Sequence, residues 1–510
     1  MPHSLARIHS AAFLGLDAVL IDIEVDATPA EEKLTIIVVG LPDVAVRESK
    51  DRVLAAVRNS GYPTGLIRCT INLAPGDLKK EGPLYDLPIA LGLLSSLGAL
   101  KAHDTHDYLA VGELALSGET RPIHGALGIA ILARQLGKKH LLVPYANAKE
   151  ASAVPGIEIV PIKTLKDAVL FLQGVSQVQK VSTTLSESIF QYVQPAIDFS
   201  DIRGQAHVKR AMEIAAAGGH NVLLCGPPGS GKSMVAKALI GIMPALTVNE
   251  ALETTKIHSV AGFLGEGQSL VTQRPFRSPH HTVSYAGLIG GGAAPRPGEV
   301  SLAHNGILFL DELPEFARST LEVLRQPLED RQVTISRANG NFTFPTNFLC
   351  IAAMNPCPCG HLGHPEKPCT DTQMQINRYK SKISGPLLDR IDMHIDVPAL
   401  RYRDLAQGGS GETSSAIRSR VIGARDKQTA RYGKAKTNAQ IGARELKKYC
   451  ALDTNCQEQM RQAIDVMGIS ARAHDRILRV ARTIADLDGS DELKKDHVME
   501  AIGLRTSSSR

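Results

Sequence analysis

The sequence predicts a multidomain α/β protein that ends in a helical portion, and three observations carry this. The chain has 510 residues, about three times the ~150 residues of an ordinary domain. Short β-branched runs alternate with segments of helical spacing as far as residue 400, as α/β units require. Beyond residue 412 the apolar residues recur at helical spacing. Composition agrees, since 43% hydrophobic and 21% charged residues support ordinary cores and exclude a chain disordered throughout. Trp is absent and aromatics are only 4%, which argues against an aromatic-lined groove as the main binding device.

The first domain is expected over 1–173. Strands are read at 34–39, 69–73, 140–144 and 157–162, and a helix with an Arg/Glu/Lys polar face at 46–59. The N-terminal stretch contains Arg7 and Asp17 and no small-residue cleavage site, so it reads as a first strand rather than a signal peptide. No apolar run reaches the ~18 residues of a membrane helix; 87–100 comes nearest. Eight cysteines in so long a chain point to a reducing cytoplasm and not to a disulfide scaffold. A Ser/Thr/Gln-rich linker follows at 174–197, then a second α/β unit over 198–400. The third domain, 401–510, opens on a glycine-rich joint and has helices at 415–431, 443–449, 454–467 and 471–486. It carries 21 Lys and Arg against 14 Asp and Glu. That excess fits a nucleic acid or another polyanion, and equally a solvated helical surface.

The most specific signal is Gly226, Pro227, Pro228, Gly229, Ser230, Gly231, Lys232 and Ser233, the full phosphate-loop pattern between a buried strand and a helix. Glycines let backbone N–H groups wrap phosphates, Lys232 brings charge to the outer phosphates of ATP, and Ser233 offers a hydroxyl to Mg²⁺. A second buried strand, 307–310, ends in Asp311 and Glu312, placing one carboxylate toward Mg²⁺ and the other toward the attacking water. A third, 348–354, ends at Asn355, whose amide can hydrogen-bond that water or the γ-phosphate. Residues 331–345 alternate around Asn339-Gly340, a two-residue hairpin signal. Cys357, Cys359 and Cys369 with His361 and His364 stand near zinc-ligand spacing. Structural zinc and three reduced thiols both remain open.

With the stretches 199–205, 218–221, 274–281, 288–292, 295–299, 311–316 and 384–392, these motifs resemble the AAA+ ATPases, and among them the magnesium-chelatase-like YifB/ComM family. The resemblance runs through nearly the whole chain. It implies a homo-hexamer with ATP between neighbouring subunits, an AAA+ core and a C-terminal helical lid. It further implies an ATP-driven DNA motor, a helicase promoting branch migration in homologous recombination and natural transformation. Single-stranded and branched DNA and recombination proteins are then the expected partners, with no membrane. Arg390 falls at the arginine-finger position and Arg472 at the second sensor position. The hairpin stands where related helicases project one into the ring pore, which makes Arg337 and Asn339 DNA-contact candidates. Arg274, Arg277 and Arg296 lie in an insertion, 258–299, where they either touch DNA or brace subunit contacts. Relatives carry a fourth Cys near Asp371, so His361, His364 or Asp371 would complete a zinc site here.

Residues 1–173 resemble the proteolytic domain of Lon through Lys80 to Pro83, Asp86 to Ala90, Gly112-Glu113, Gly118-Glu119 and Pro122-Ile123. That chemistry needs a Ser nucleophile and a Lys base. Residues 82–86 hold no Ser and 126–129 no Lys, so a scaffold or DNA-contacting collar is expected rather than a protease. A chelatase-type subunit driving metal insertion shares the AAA+ core and is the alternative, although the N-terminal domain is extra to it.

Overall fold

A computed structural model describes residues 5–100, 107–175, 181, 196–265, 267–292, 295–337, 340–364, 366–399, 411–433, 435–467 and 470–506. The chain divides into two compact units, Met1–Ile189 with Thr247–Thr272, and Phe190–Leu246 with Gln273–Arg510. Most of the expected linker at 174–197 and of the joint at 407–412 lies outside the described residues.

In the first unit, Ala6–Leu14 and Asp17–Pro29 pair antiparallel. Ile67–Ala74 joins them antiparallel, and Thr35–Val39 closes the sheet in parallel at its edge. Ile67, Cys69, Ile71 and Leu73 alternate inward, the period of a sheet with one covered face. The apolar run near residue 90 is the helix Asp86–Ser96, buried along its whole length. It is therefore an interior helix, and no helix among the described residues is long and apolar enough to cross a membrane. A second, parallel sheet holds Tyr108–Ala110, His140–Pro144 and Glu158–Ile162.

The helix Val248–Ala261 also belongs to this unit, whereas the sequence grouped it with 198–400. The reason is polar as well as apolar: Ser259 Oγ accepts the Gly125 amide at 2.9 Å and bonds to buried Glu150, while Lys256 pairs with Asp17 at 2.6 Å.

The second unit is built on five parallel strands in the order Phe276–Arg277, Ile307–Leu310, Leu349–Met354, Val222–Cys225, Met393–Asp396. Ile307–Leu310 and Leu349–Met354 are buried throughout, as strands covered on both faces must be. Ser414–Tyr432 and Ala471–Leu487 pack on the helix Ala206–Gly218 and share one core with the sheet. The tail thus shares the core of this unit. Its last helix, Lys495–Thr506, has no counterpart among the helices read from sequence.

His220 sits in that shared core, fully buried, with Nε2 2.7 Å from Thr483 Oγ1. Burial pushes its pKa down to about 4, so the fold favours the neutral imidazole. The associated stability is present above the unfolded value near pH 6.5 and is lost as the pH falls toward 4, about 3 kcal/mol in all. Denaturant midpoints between pH 6.5 and 4 should therefore fall less steeply in His220→Gln than in the parent; identical slopes would contradict this.

Candidate nucleotide-binding site

The loop 226–231 leads from the strand Val222–Cys225 into the helix Lys232–Ala238, which continues as a 3₁₀ turn, Leu239–Ile242. Gly229 (φ +75°) and Gly231 (φ +87°) hold left-handed conformations that glycine alone adopts cheaply. A Cβ on Gly226 would stand 2.2 Å from the Val397 carbonyl oxygen. Outside groups anchor the loop. The Gly226 amide donates to Met354 O at 3.1 Å, and Gln205 Nε2 to Ser230 O at 2.9 Å.

Lys232 is only 9% exposed. Its Nζ donates to the carbonyls of Gly226 (2.7 Å) and Pro227 (2.9 Å) and to Asn355 Oδ1 (3.2 Å). Burial lowers its pKa, against the pull of Asp311. All three hydrogen-bond acceptors are neutral, which leaves a buried ammonium suited to an incoming anion. Ser230 Oγ, also buried in the loop, has no hydrogen-bond partner among the described residues. Beside them Ser233 Oγ donates to Asp311 Oδ2 at 2.8 Å. Hydroxyl and carboxylate together are the hard oxygen donors that Mg²⁺ takes. The residues present thus fit a nucleoside triphosphate with its cation. Glu312 follows in a left-handed conformation (φ +53°), its side chain 60% exposed and 3.4 Å from His281 Nδ1.

Arg390 and Arg472 line a different place, a cavity of about 710 Å³. Arg331, Arg476, Arg479 and Lys436 line it too, together with Glu329, Asp330, Asp392 and Asp475. No phosphate-loop residue lines it, while Asn221 does. Asn221 precedes the strand Val222–Cys225 and the phosphate loop follows it, so cavity and loop stand at opposite ends of that strand, about 13 Å apart. Arg390 donates to Pro386 O at 2.8 Å and pairs with Glu329. Burial, against the pull of Asp392, pushes Arg331 down to about 10, and Arg476 and Arg479 push the same way. Arg476 and Arg479 went unremarked in the sequence, although their spacing from Arg472 is that of one helix face.

The arginines read as DNA contacts separate into two groups. Arg274 donates to the carbonyls of Pro244 (2.6 Å), Asn305 (2.7 Å) and Ala245 (3.1 Å), and Arg277 forms a two-bond pair with Glu299 at 2.6 Å. Both guanidinium groups are engaged within their own chain, the bracing alternative of the two read from sequence. Arg296 and Arg337 are exposed. Arg337 closes the hairpin Gln332–Arg337/Gly340–Pro345 opposite Gly340 and donates to Gly292 O at 3.3 Å, next to Gly291, which pairs with Arg296. Asn339 lies outside the described residues.

Cys357, Cys359, Cys369 and Asp371 bring their donor atoms within 4.8 Å of one another. His361 is not in this set; its ring instead stands edge-on to His364, 5.6 Å between centroids. Asp371, and not His361, is thus the fourth member of the cluster. A Cys-x-Cys followed by a Cys-x-Asp was the available signal.

Comparison with known proteins extends along the whole chain. The family model described as magnesium chelatase, subunit ChlI, matches residues 198–405. The model for subunit ChlI of Mg-chelatase matches 23–147, and that for its C-terminal portion 411–505. Competence protein ComM of Haemophilus influenzae is 43% identical over 509 residues, 98% of this chain and 97% of that one. YifB of Salmonella typhimurium is 43% identical over 503 residues, with the same coverage. Lon protease 2 of Bacillus subtilis is 27% identical over 163 residues, 29% of each chain.

Proposed function

The chain belongs to the YifB/ComM family of magnesium-chelatase-like proteins, and we propose that this member is an ATP-driven motor acting on branched DNA. The observation that carries the reading is the separation of two half-sites on one chain. Lys232, Ser233, Asp311 and Asn355 form a nucleotide-binding half, and the Arg390/Arg472 cavity lies at the far end of the same strand. Arginines so placed serve the nucleotide of a neighbouring copy, which calls for a closed ring, read here as a hexamer.

Ser233 and Asp311 would hold the magnesium ion, which when bound neutralises charge on the phosphate oxygens. Lys232 exchanges its carbonyl partners for phosphate oxygens. Glu312, exposed at the rim, polarises the attacking water, and Asn355 orients it. Arg390 and Arg472 offer guanidinium groups to the charge developing on the neighbour's transferred phosphoryl group.

Work on DNA is supported by the exposed Arg296 and Arg337, by the basic residues after 400 and by the printed name of the ComM relative. Branch migration in recombination and natural transformation, in the cytoplasm and alongside recombination proteins, is the setting this reading gives. The first unit, without a Ser/Lys pair at 82–86 and 126–129, acts as a collar rather than a protease.

ATP hydrolysis should rise several-fold with single-stranded and forked DNA, and a labelled three-way junction should be resolved only with ATP and an intact Lys232. Hydrolysis indifferent to every DNA would overturn the motor reading and favour a chelatase-type subunit. Glu312→Gln should retain ATP binding while turnover falls about 100-fold or more; ordinary turnover in that variant would remove Glu312 from the chemistry.

A further inference from the structure

The loop after Asn355 holds the one group of three or more His, Cys, Asp or Glu donors, among the described residues, that is arranged for a metal ion. Its sulfurs stand in mutual contact: Cys357 to Cys359 at 3.4 Å, Cys357 to Cys369 at 3.6 Å and Cys359 to Cys369 at 3.6 Å. Asp371 Oδ2 lies 3.8 Å from Cys369 Sγ. Ligands at Zn–S ~2.3 Å and Zn–O ~2.0 Å in a tetrahedron stand ~3.8 Å apart for two sulfurs and ~3.5 Å for sulfur and oxygen. The observed edges lie within a few tenths of an ångström of these. Backbone groups orient the donors, since the Cys359 amide donates to Asp371 Oδ2 at 2.8 Å and the Leu362 amide to Cys357 Sγ at 3.4 Å. Three sulfurs and one carboxylate suit zinc rather than magnesium, and four protein donors leave no open position for catalysis.

One short chain connection and one contact tie this loop to the nucleotide half-site. Cys357 is two residues beyond Asn355, the partner of Lys232. Gly360, with φ +79°, lies so close to the phosphate loop that a Cβ on it would meet Pro228 Cδ at 2.5 Å. We propose that Cys357, Cys359, Cys369 and Asp371 bind one zinc ion, and that this metal knuckle is the strut that holds Pro228 and Asn355 in nucleotide-binding geometry. The second half rests on the nucleotide reading above; the first does not.

The test uses the full chain. Elemental analysis should find one zinc per chain, near zero in Cys357→Ser and in Cys369→Ser, and retained in Asp371→Cys. Cobalt(II) added to the stripped protein should give tetrahedral d–d bands with sulfur-to-cobalt charge transfer. In excess magnesium, stripping zinc should weaken binding of a fluorescent ATP analogue at least tenfold, and zinc should restore it. Gly360→Val should keep the metal and lose nucleotide affinity, which separates the strut from the ion. Absence of zinc together with a non-tetrahedral cobalt spectrum would overturn the site. Zinc that can be removed without changing nucleotide affinity would overturn the strut. A zinc-loaded protein with a tetrahedral cobalt spectrum that binds no nucleotide would instead overturn the nucleotide reading and leave the metal site standing.

Discussion

The second unit depends on one buried carboxylate. Asp392, 2% exposed, accepts the Asn221 amide at 2.8 Å and pairs with Arg476, while His220 Nδ1 stands 4.0 Å away. Burial pushes its carboxyl up, but Arg476, then His220 and the Asn221 amide, hold it below the usual range. Arg505 donates to the carbonyls of Ile391 at 2.5 Å and Asp392 at 3.1 Å. A single point at the sheet edge is thereby tied to the neighbouring strand Val222–Cys225 through Asn221 and to the last two long helices through Arg476 and Arg505. Removing one partner of such a buried pair costs roughly 3–5 kcal/mol, because the other charge stays behind unpaired.

The same constraint arranges the chemistry. Asn221 immediately precedes the strand that leads into the phosphate loop, and Arg390 is two residues before Asp392. With Asp392 fixed, the arginine cavity is held at the beginning of the strand and the phosphate loop at its end. Ligands of open parallel sheets bind at the carboxyl ends of the strands, and Lys232, Asp311 and Asn355 all follow such ends. The arginines do not, in keeping with the proposal that they serve a neighbour's nucleotide.

Much of this was legible in the sequence where chemistry and local period coincide. The phosphate loop, the Asp311-Glu312 pair and Asn355 each follow a short buried run, and four helices after residue 413, though not the last, lie within a residue of their expected bounds. What escaped was non-local. Nothing along the chain says that Arg274 will be engaged by the carbonyls of Pro244, Ala245 and Asn305, since a carbonyl acceptor has no residue signature. The helix Val248–Ala261 has its own capping box at Thr247 and Glu250, and so could be recognised as a helix, but its assignment to the first unit depends on Gly125 and Glu150 more than a hundred residues away. His361 and Asp371 were equal candidates by donor type, and only the fold of the loop chose between them.

The central claim is that each copy supplies half of a nucleotide site. It is tested most directly by mixing two inactive variants, Lys232→Ala and Arg390→Ala, and measuring ATP hydrolysis. The account predicts that each alone is inactive and that the mixture regains part of the parent rate, because some interfaces then pair an intact phosphate loop with an intact Arg390. Mixtures that form rings yet never recover hydrolysis would contradict it.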